Sequence, residues 1–568
     1  MKIFNLFSIF AIYFFTLSNL FSQSINTEWV SQIGNSNGID QGFSIVTDQS
    51  GNSYITGSFT NQMDADPGLG ILNLTSNDSS DIFITKLDSV GSFIWAKQIG
   101  GTGKDEGYSI AIDEASNLYI SGIFSDTVDF DPGADTFNLI NPVYDQNRAF
   151  ICKLNSSGEF IWAKNFGNAE DKISHTVHPD NEGHIYVTGH FSTTTIFGND
   201  TINPTGFHEC FISKMDTAGE FIWTKNFSGN LLSHGVSIDV DPLGNVYTCG
   251  NFKGTIDFDP GPDTLNLTST GTRDIFITKF NSEGTLVWLR SMAGNALDAA
   301  NCINVNDEGE VYLTGRFSKE LDLNPGPGIQ MDTSWHIGNS WRSNAFILKL
   351  NTDGDFVWAD KLEGNGTHIA SMKLDEDDNI YAVGGFYDSI DFDLGPSNNI
   401  TVTDKGAGFV GKWDSNGEFD WARLFTGTDH ILPSSLTLDN MGNIYTTGSF
   451  NDTLEVEFSS SNQMLISEGG YDVFIYKMRL SDNIGILEFS PTIDAYPNPV
   501  INEIQFDLGE YKEGIQLVVR NVQGQIIFTQ EFQETDHITT QLPLSSGIYW
   551  AEIIDDKGSK KMVKVVKK

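Results

Sequence analysis

Short runs of alternating apolar and polar residues dominate the chain. Phe150-Ile151-Cys152-Lys153-Leu154 is one. A period of two places one face of the segment inward and the other outward, so these runs predict half-buried strands. The runs recur in register. A Trp closes an apolar run at positions 29, 95, 162, 223, 288, 358 and 421, and a Tyr stands two or three residues before a Gly at 54, 119, 186, 247, 312, 381 and 445. A Phe follows that Gly, as at Phe59 and Phe252, and another Phe lies three residues before a Lys, as at Phe83 and Phe276. The spacing between copies is 61 to 70 residues. Each copy predicts four strands; in the second they are Ser109–Asp113, Asn117–Phe124, Ala149–Leu154 and Glu159–Phe166. Two connections per copy are tight, of the type Asp241 to Asn245 and Asn281 to Gly284. There Asp or Asn caps backbone N–H groups, and Gly supplies the positive φ of the turn.

Seven sets of four antiparallel strands predict an all-β chain, a seven-bladed β-propeller of four-stranded blades. The ends are out of phase. The first Trp, Trp29, belongs to a fourth strand with no preceding three, and the last copy stops after a third strand near Met478. The strand around Glu28–Ile33 is therefore expected to complete the blade begun by Leu436–Asp439, Asn443–Phe450 and Asp472–Met478. The repeat ends near residue 480. After it, short alternating strands at Ile515–Arg520, Gln525–Glu531, Ile538–Gln541 and Gly547–Ile554 predict a small C-terminal β-sandwich.

The blocks Asp241–Phe252 and Asp274–Trp288 resemble the secreted bacterial β-propeller repeat family. The Asp-x-x-Gly-x-x-x-Trp element is similar to the tryptophan-docking motif of quinoprotein propellers, which implies Trp packing between blades and no quinone here. The C-terminal segment resembles the type A C-terminal sorting domain of the type IX secretion system. The residues that carry this are the Tyr496-Pro497-Asn498-Pro499 box, the Gly547-Ile548-Tyr549 strand and the basic end with Lys560, Lys561, Lys567 and Lys568. The resemblance implies a Bacteroidetes-type exporter as partner, passage across the outer membrane, and then removal of the domain with release or surface attachment. Lys2 followed by the apolar run Ile3–Leu17 reads as a secretory signal peptide, residues 1–22. The expected order is then propeller 23–480, linker 481–493 and sorting domain 494–568. Because no later run approaches 18 apolar residues, no transmembrane segment is expected in the mature chain.

Charge narrows the partners. Lys and Arg number 33 against 75 Asp and Glu, a net −42, which argues against nucleic acid. The basic tail is the exception, with six Lys and no acid from 557 to 568; it reads as an electrostatic handle for an acidic receptor surface. Cys152, Cys210, Cys249 and Cys302 contain no CxxC pair and read as buried thiols or one or two disulfides. Zincin, nucleophile-elbow, P-loop and EF-hand patterns are all missing, and the ten His share no repeat phase, so they read as solvated or packed. One acidic motif does recur in the long connection between second and third strands: Asp64 to Gly68, Asp129 to Gly133, Asp257 to Gly261, Asp322 to Gly326 and Asp391 to Gly395. Its carboxylates, with Asp129, Asp131, Asp257, Asp259, Asp391 and Asp393 the best formed, read either as ligands for Ca²⁺ or as turn caps. A second acidic set, Asp40, Asp105, Glu106, Asp171, Asp298 and Asp429, reads as solvated loop charge. Both long connections leave one face of the ring, the expected place for an extracellular glycan or protein ligand. A secreted or surface binding or adhesion protein is the expected function. The alternative is an extracellular glycan-active hydrolase or lyase using loop acids, and the even spread of acids over the repeats argues against it.

Overall fold

The computed structural model describes residues 24–481, apart from 35–37, 142–146, 170–175, 335, 338–339, 393–400, 404–405 and 458–461. It also describes 494–567, apart from 497–502, 521–525, 542–546 and 555–559. The predicted signal segment lies outside these residues. The chain divides into a unit spanning Ile25–Leu480 and a second that includes Ser481–Lys568. All regular structure among the described residues is strand.

In the larger unit the strands form seven four-stranded antiparallel blades, six of them separate sheets and the first joined by short strands, among them Thr127–Asp129 of the next blade, into a seven-stranded sheet. Blade I is Asp40–Thr47, Ser53–Asp64, Asn73–Leu87 and Phe93–Gly101. Blades II to VI begin at Glu106, Thr176, Leu232, Ala299 and His368. Blade VII comprises Ile431–Leu438, Ile444–Phe450, Asp472–Ser481 and, as its fourth strand, Ser24–Ile33 from the start of the chain. Side chains fasten that join: Lys477 Nζ lies 2.9 Å from Glu28 Oε2, and Gln32 Nε2 donates to Asp472 Oδ2 at 2.6 Å.

The first strand of each blade packs against the first strands of its neighbours, in cyclic order back to blade I. Together they surround a central cavity of about 510 Å³. A small polar residue sits at one equivalent position of the first strands: Ser44, Ser109, Thr176, Ser237, Cys302, Ser371 and Ser435. Several of these accept an N–H from the next blade. Ser44 Oγ takes that of Ile110, Ser237 Oγ that of Ile303, and Ser435 Oγ of blade VII that of Ile45 in blade I. Apolar side chains fill the space between blades; Tyr247, Cys249 and Ile277 of blade IV pack with Ile303, Leu313 and Phe317 of blade V. Burial of this apolar area between facing sheets is the main stabilising term.

The repeated signatures build one fastening on the tight-turn face. In blade IV, Asp241 Oδ1 accepts the N–H groups of Leu243 and Asn245 at 3.0 and 2.8 Å. Its Oδ2 accepts from Asn245 Nδ2 and from the Tyr247 hydroxyl at 2.7 and 3.0 Å. Lys279 Nζ stands 5.0 Å from the centre of the Tyr247 ring, and all seven blades carry this Lys–Tyr pair. Trp288 donates Nε1–H to Thr352 O of blade V at 3.2 Å, and its indole lies over Gly354. A Cβ at Gly354, where φ is +76°, would meet the indole at 2.8 Å. Glycine is needed there twice over, for the turn and for the close approach. The expected Trp packing between blades is thus present, while the D-x-x-G turn serves the neighbouring blade as well as its own.

The C-terminal unit is a five-stranded antiparallel sheet in which the long strand Glu503–Arg520 is central and pairs with Asp494–Tyr496, Ile526–Gln541 and Gly547–Ile554. The predicted strands at Gln525–Glu531 and Ile538–Gln541 are one continuous strand. Gly547–Ile554 pairs with both Glu503–Arg520 and the basic Lys560–Lys567. Its core is Ile504, Phe506, Ile515, Leu517, Val519, Ile538, Tyr549, Ala551 and Ile553.

Candidate functional site

The connections between second and third strands all leave one face, and they are more ordered than predicted. In blades II to VII each carries its own small ladder, for instance Thr127–Asp129 with Asn138–Ile140 and Thr255–Asp257 with Asn266–Thr268. In blade I the second and third strands themselves extend into it. The acidic motif makes the turn of these hairpins. Asp129 Oδ1 accepts the N–H groups of Asp131 and Phe137 at 3.1 and 2.8 Å, and Asp131 Oδ1 accepts that of Gly133 at 2.8 Å. Asp257 Oδ1 accepts from Asp259 and Leu265, and Asp259 Oδ1 from Gly261. The residue between the two acids drops into the blade: Phe130, Phe258, Leu323 and Phe392 are buried. Asp391 ends the first strand of its hairpin, and Asp393 lies outside the described residues. The motif therefore spends carboxylate oxygens on backbone N–H groups and plants an aromatic anchor.

The second acidic set is not solvated as expected. Asp40, Asp105 and Asp298 are fully buried, and Glu106 nearly so. They stand where a first strand begins beneath the neighbouring blade. Asp105 accepts from Gly101 N and Ser125 N at 2.8 and 3.0 Å. Burial pushes its carboxyl up to about 8 and that of Asp298 up to about 7, outweighing the hydrogen bonds that oppose the rise. Asp429 is half-buried and holds His430 Nδ1 at 2.6 Å. Asp171 lies outside the described residues.

A cluster that the sequence reading passed over lies on the same face, where blade III meets blade IV. His190 is the penultimate residue of the second strand of blade III, His208 immediately precedes its third strand, and His234 is in the first strand of blade IV. His208 Nδ1 and His234 Nε2 are 2.8 Å apart, and the rings of His190 and His234 stack at 3.8 Å. Burial, with the charges of His208 and Arg273 adding to it, pushes His234 down to about 3, so its imidazole is neutral at neutral pH. A cavity of about 310 Å³ opens beside His190 and His234, lined also by Asn251, Arg273 and Arg316. The sequence signal was a break in the repeat. The residues equivalent to His190 are Ser58, Ile123, Asn251, Arg316, Gly385 and Ser449, and none is His.

Cys152, Cys210, Cys249 and Cys302 are all free thiols, the first three buried, in line with the thiol reading. Of the predicted sorting residues, Tyr496 ends the strand Asp494–Tyr496, and Pro497, Asn498 and Pro499 lie outside the described residues. Gly547 and Tyr549 are in the strand Gly547–Ile554, with the Tyr549 ring buried in the core. Lys560, Lys561 and Lys567 are on its partner strand, Gly547 facing Lys567 across the ladder, and Lys568 is outside the described residues.

Comparison with known proteins settles the C-terminal unit. Residues 494–568 match the secretion system C-terminal sorting domain. The chain carries β-propeller repeats followed by a type IX secretion sorting domain. The β-propeller repeat family matches at residues 28–58 and 94–122. The chain is 22% identical over 529 residues to an uncharacterized WD repeat-containing protein of Acanthamoeba polyphaga mimivirus, across 79% of this chain and 38% of that protein. It is 25% identical over 177 residues to the regulatory protein FlaEY of Caulobacter vibrioides, across 31% of this chain and 17% of that one. The chain thus spans well under half the length of either relative. A protein of unknown function from Bacteroides caccae aligns over 60% of this chain and 89% of its own, at 11% identity and a TM-score of 0.30; that likeness carries no argument. The sorting domain implies an interaction with the secretion machinery and export to the cell surface or extracellular space. No helix among the described residues is long and apolar enough to cross a membrane.

Proposed function

We propose that this chain is an exported β-propeller that binds an extracellular glycan or protein through its long-hairpin face. The observation that carries the reading is the apolar surface of those hairpins. Leu69, Ile71, Ile140, Ile329, Met331 and Met464 all point outward from them, each in a segment held by a backbone ladder or a capped turn. Apolar side chains displayed on ordered hairpins of blades I, II, V and VII, all leaving one face, favour burial against a partner. Within the tight turns the exposed large apolar residues among those described are Val90, Leu243 and Met441, each alone, while Ile94, Ile161, Ile222, Val287 and Val357 are exposed one to a blade at the start of the fourth strands.

A binding screen of the full chain on glycan and matrix-protein arrays tests this. Replacing Leu69, Ile71, Ile329 and Met331 by Ser is expected to weaken any hit at least tenfold, while Leu243→Ser with Met441→Ser leaves it unchanged. Binding that follows the second pair would move the ligand to the other face.

A further inference from the structure

We propose that His190, His208 and His234 form a three-imidazole site for a zinc-class divalent ion, with one coordination position open to the cavity beside them. The ligand nitrogens of the three side chains lie within 4.8 Å of one another. Three imidazoles around zinc at about 2.0–2.1 Å place their nitrogens about 3.4 Å apart. Closing the site therefore asks the nitrogens to converge from within 4.8 Å to about 3.4 Å. His208 and His234 already approach to 2.8 Å.

The scaffold explains why the three meet. His190 and His234 are on strands of adjoining blades, and Gly235, next to His234, has no room for a Cβ: one would lie 2.0 Å from Thr188 Oγ1. His208 is fixed by backbone hydrogen bonds, its N–H donating to Leu231 O and its C=O accepting from Ser233 N. The site is thus built on rigid elements, as a metal centre requires. Imidazole nitrogen as the sole donor favours zinc and neighbouring transition ions over calcium, which takes oxygen.

The surroundings set the fourth ligand. Glu209, adjacent in sequence, is occupied elsewhere: its oxygens accept from Thr205 and from Asn226 Nδ2. The cavity instead presents Arg273, Arg316 and Asn251. Two guanidinium groups oppose a bare dication, and they favour an ion carrying an anion. Hydroxide or a ligand carboxylate bound to the metal would satisfy both. Although the site shares the long-hairpin face, its existence does not depend on the ligand-binding reading.

The test is calorimetric titration of the full chain, stripped with EDTA, with zinc chloride. The wild type is expected to take up one equivalent. His208→Ala combined with His234→Ala should weaken uptake at least ~100-fold, since two of three ligands are gone. His184→Ala, a histidine bound to the Asp180 turn cap, should leave it unchanged. Thermal melts of the stripped proteins establish that the variants fold. Should the double variant not fold, X-ray absorption on the zinc-loaded wild type decides, and a shell containing three imidazoles is expected. Failure of the wild type to bind one equivalent, unchanged uptake by the folded double variant, or a shell with fewer than three imidazoles would overturn the proposal.

Discussion

At the scale of single residues, the structure sorts carboxylates by what they cap. Those in tight turns and hairpin turns were legible because a cap and its N–H groups are neighbours in sequence. Asp105 and Asp298 were not, since burial beneath an adjoining blade leaves no local mark; the three histidines likewise meet only through packing. The buried acids carry a pH signature. Asp105 and Asp298 hold their protons in the folded state up to about 8 and about 7, well above the ordinary carboxylate value. Between those limits the folded chain binds more protons than the unfolded chain, so stability falls as pH rises. Half-buried His178, His234 and His368, with values lowered by desolvation, act oppositely, adding stability as pH rises towards about 6.5. The two effects oppose each other in acid, and only the acids remain above it. The melting midpoint is therefore expected to drop from about pH 6.5 to about pH 8, with Asp298→Asn flattening the drop; a rise over that interval would contradict the assignment. For Asp129 and Asp257, capping accounts for the Oδ1 atoms, so melts in EDTA and in millimolar calcium are expected to coincide. A midpoint raised by calcium would make these carboxylates, with Asp131 and Asp259, cation ligands.

At the scale of elements, six of the seven joints between blades have a Trp laid beside a turn Gly. The strands and tight turns behind this were legible from the period of two and the D-x-x-G spacing. The small ladders within the long hairpins were not, because strands of three residues are too short to show a period. The exception to the Trp pattern is informative. Trp421 of blade VI faces blade VII, whose third and fourth strands come from opposite ends of the chain and so share no connecting turn. Among the described residues its buried Nε1 has no hydrogen-bond partner, and neither has that of Trp95, which does lie beside Gly158, whereas Trp288 Nε1 binds Thr352 O. Trp288→Phe should cost ~1–2 kcal/mol, through a lost hydrogen bond and a carbonyl left behind. Trp421→Phe should cost distinctly less, since no hydrogen bond is lost. Equal losses in urea melts would show that the Trp hydrogen bond contributes nothing to the joint.

At the scale of the whole molecule, closure was legible from the phase of the ends, because a chain starting in a fourth strand and stopping after a third can complete both only by joining them. Deleting residues 24–33 should leave Asp472–Ser481 as an unpaired edge, lowering the melting midpoint and promoting self-association. A monomeric variant with an unchanged midpoint would mean that the closing strand does not hold the ring. The ligand was not legible, because the hairpin side chains that would meet it follow no repeat. The destination was legible, because the sorting domain keeps its motifs in order at the chain's end. The most direct test of the account is protease accessibility on intact cells of the native host, comparing the full chain with one lacking residues 494–568. The account expects the full chain at the surface or in the medium, and the truncated chain inside, protected, with its propeller melting as before. Equal surface delivery of a folded truncated chain would contradict it.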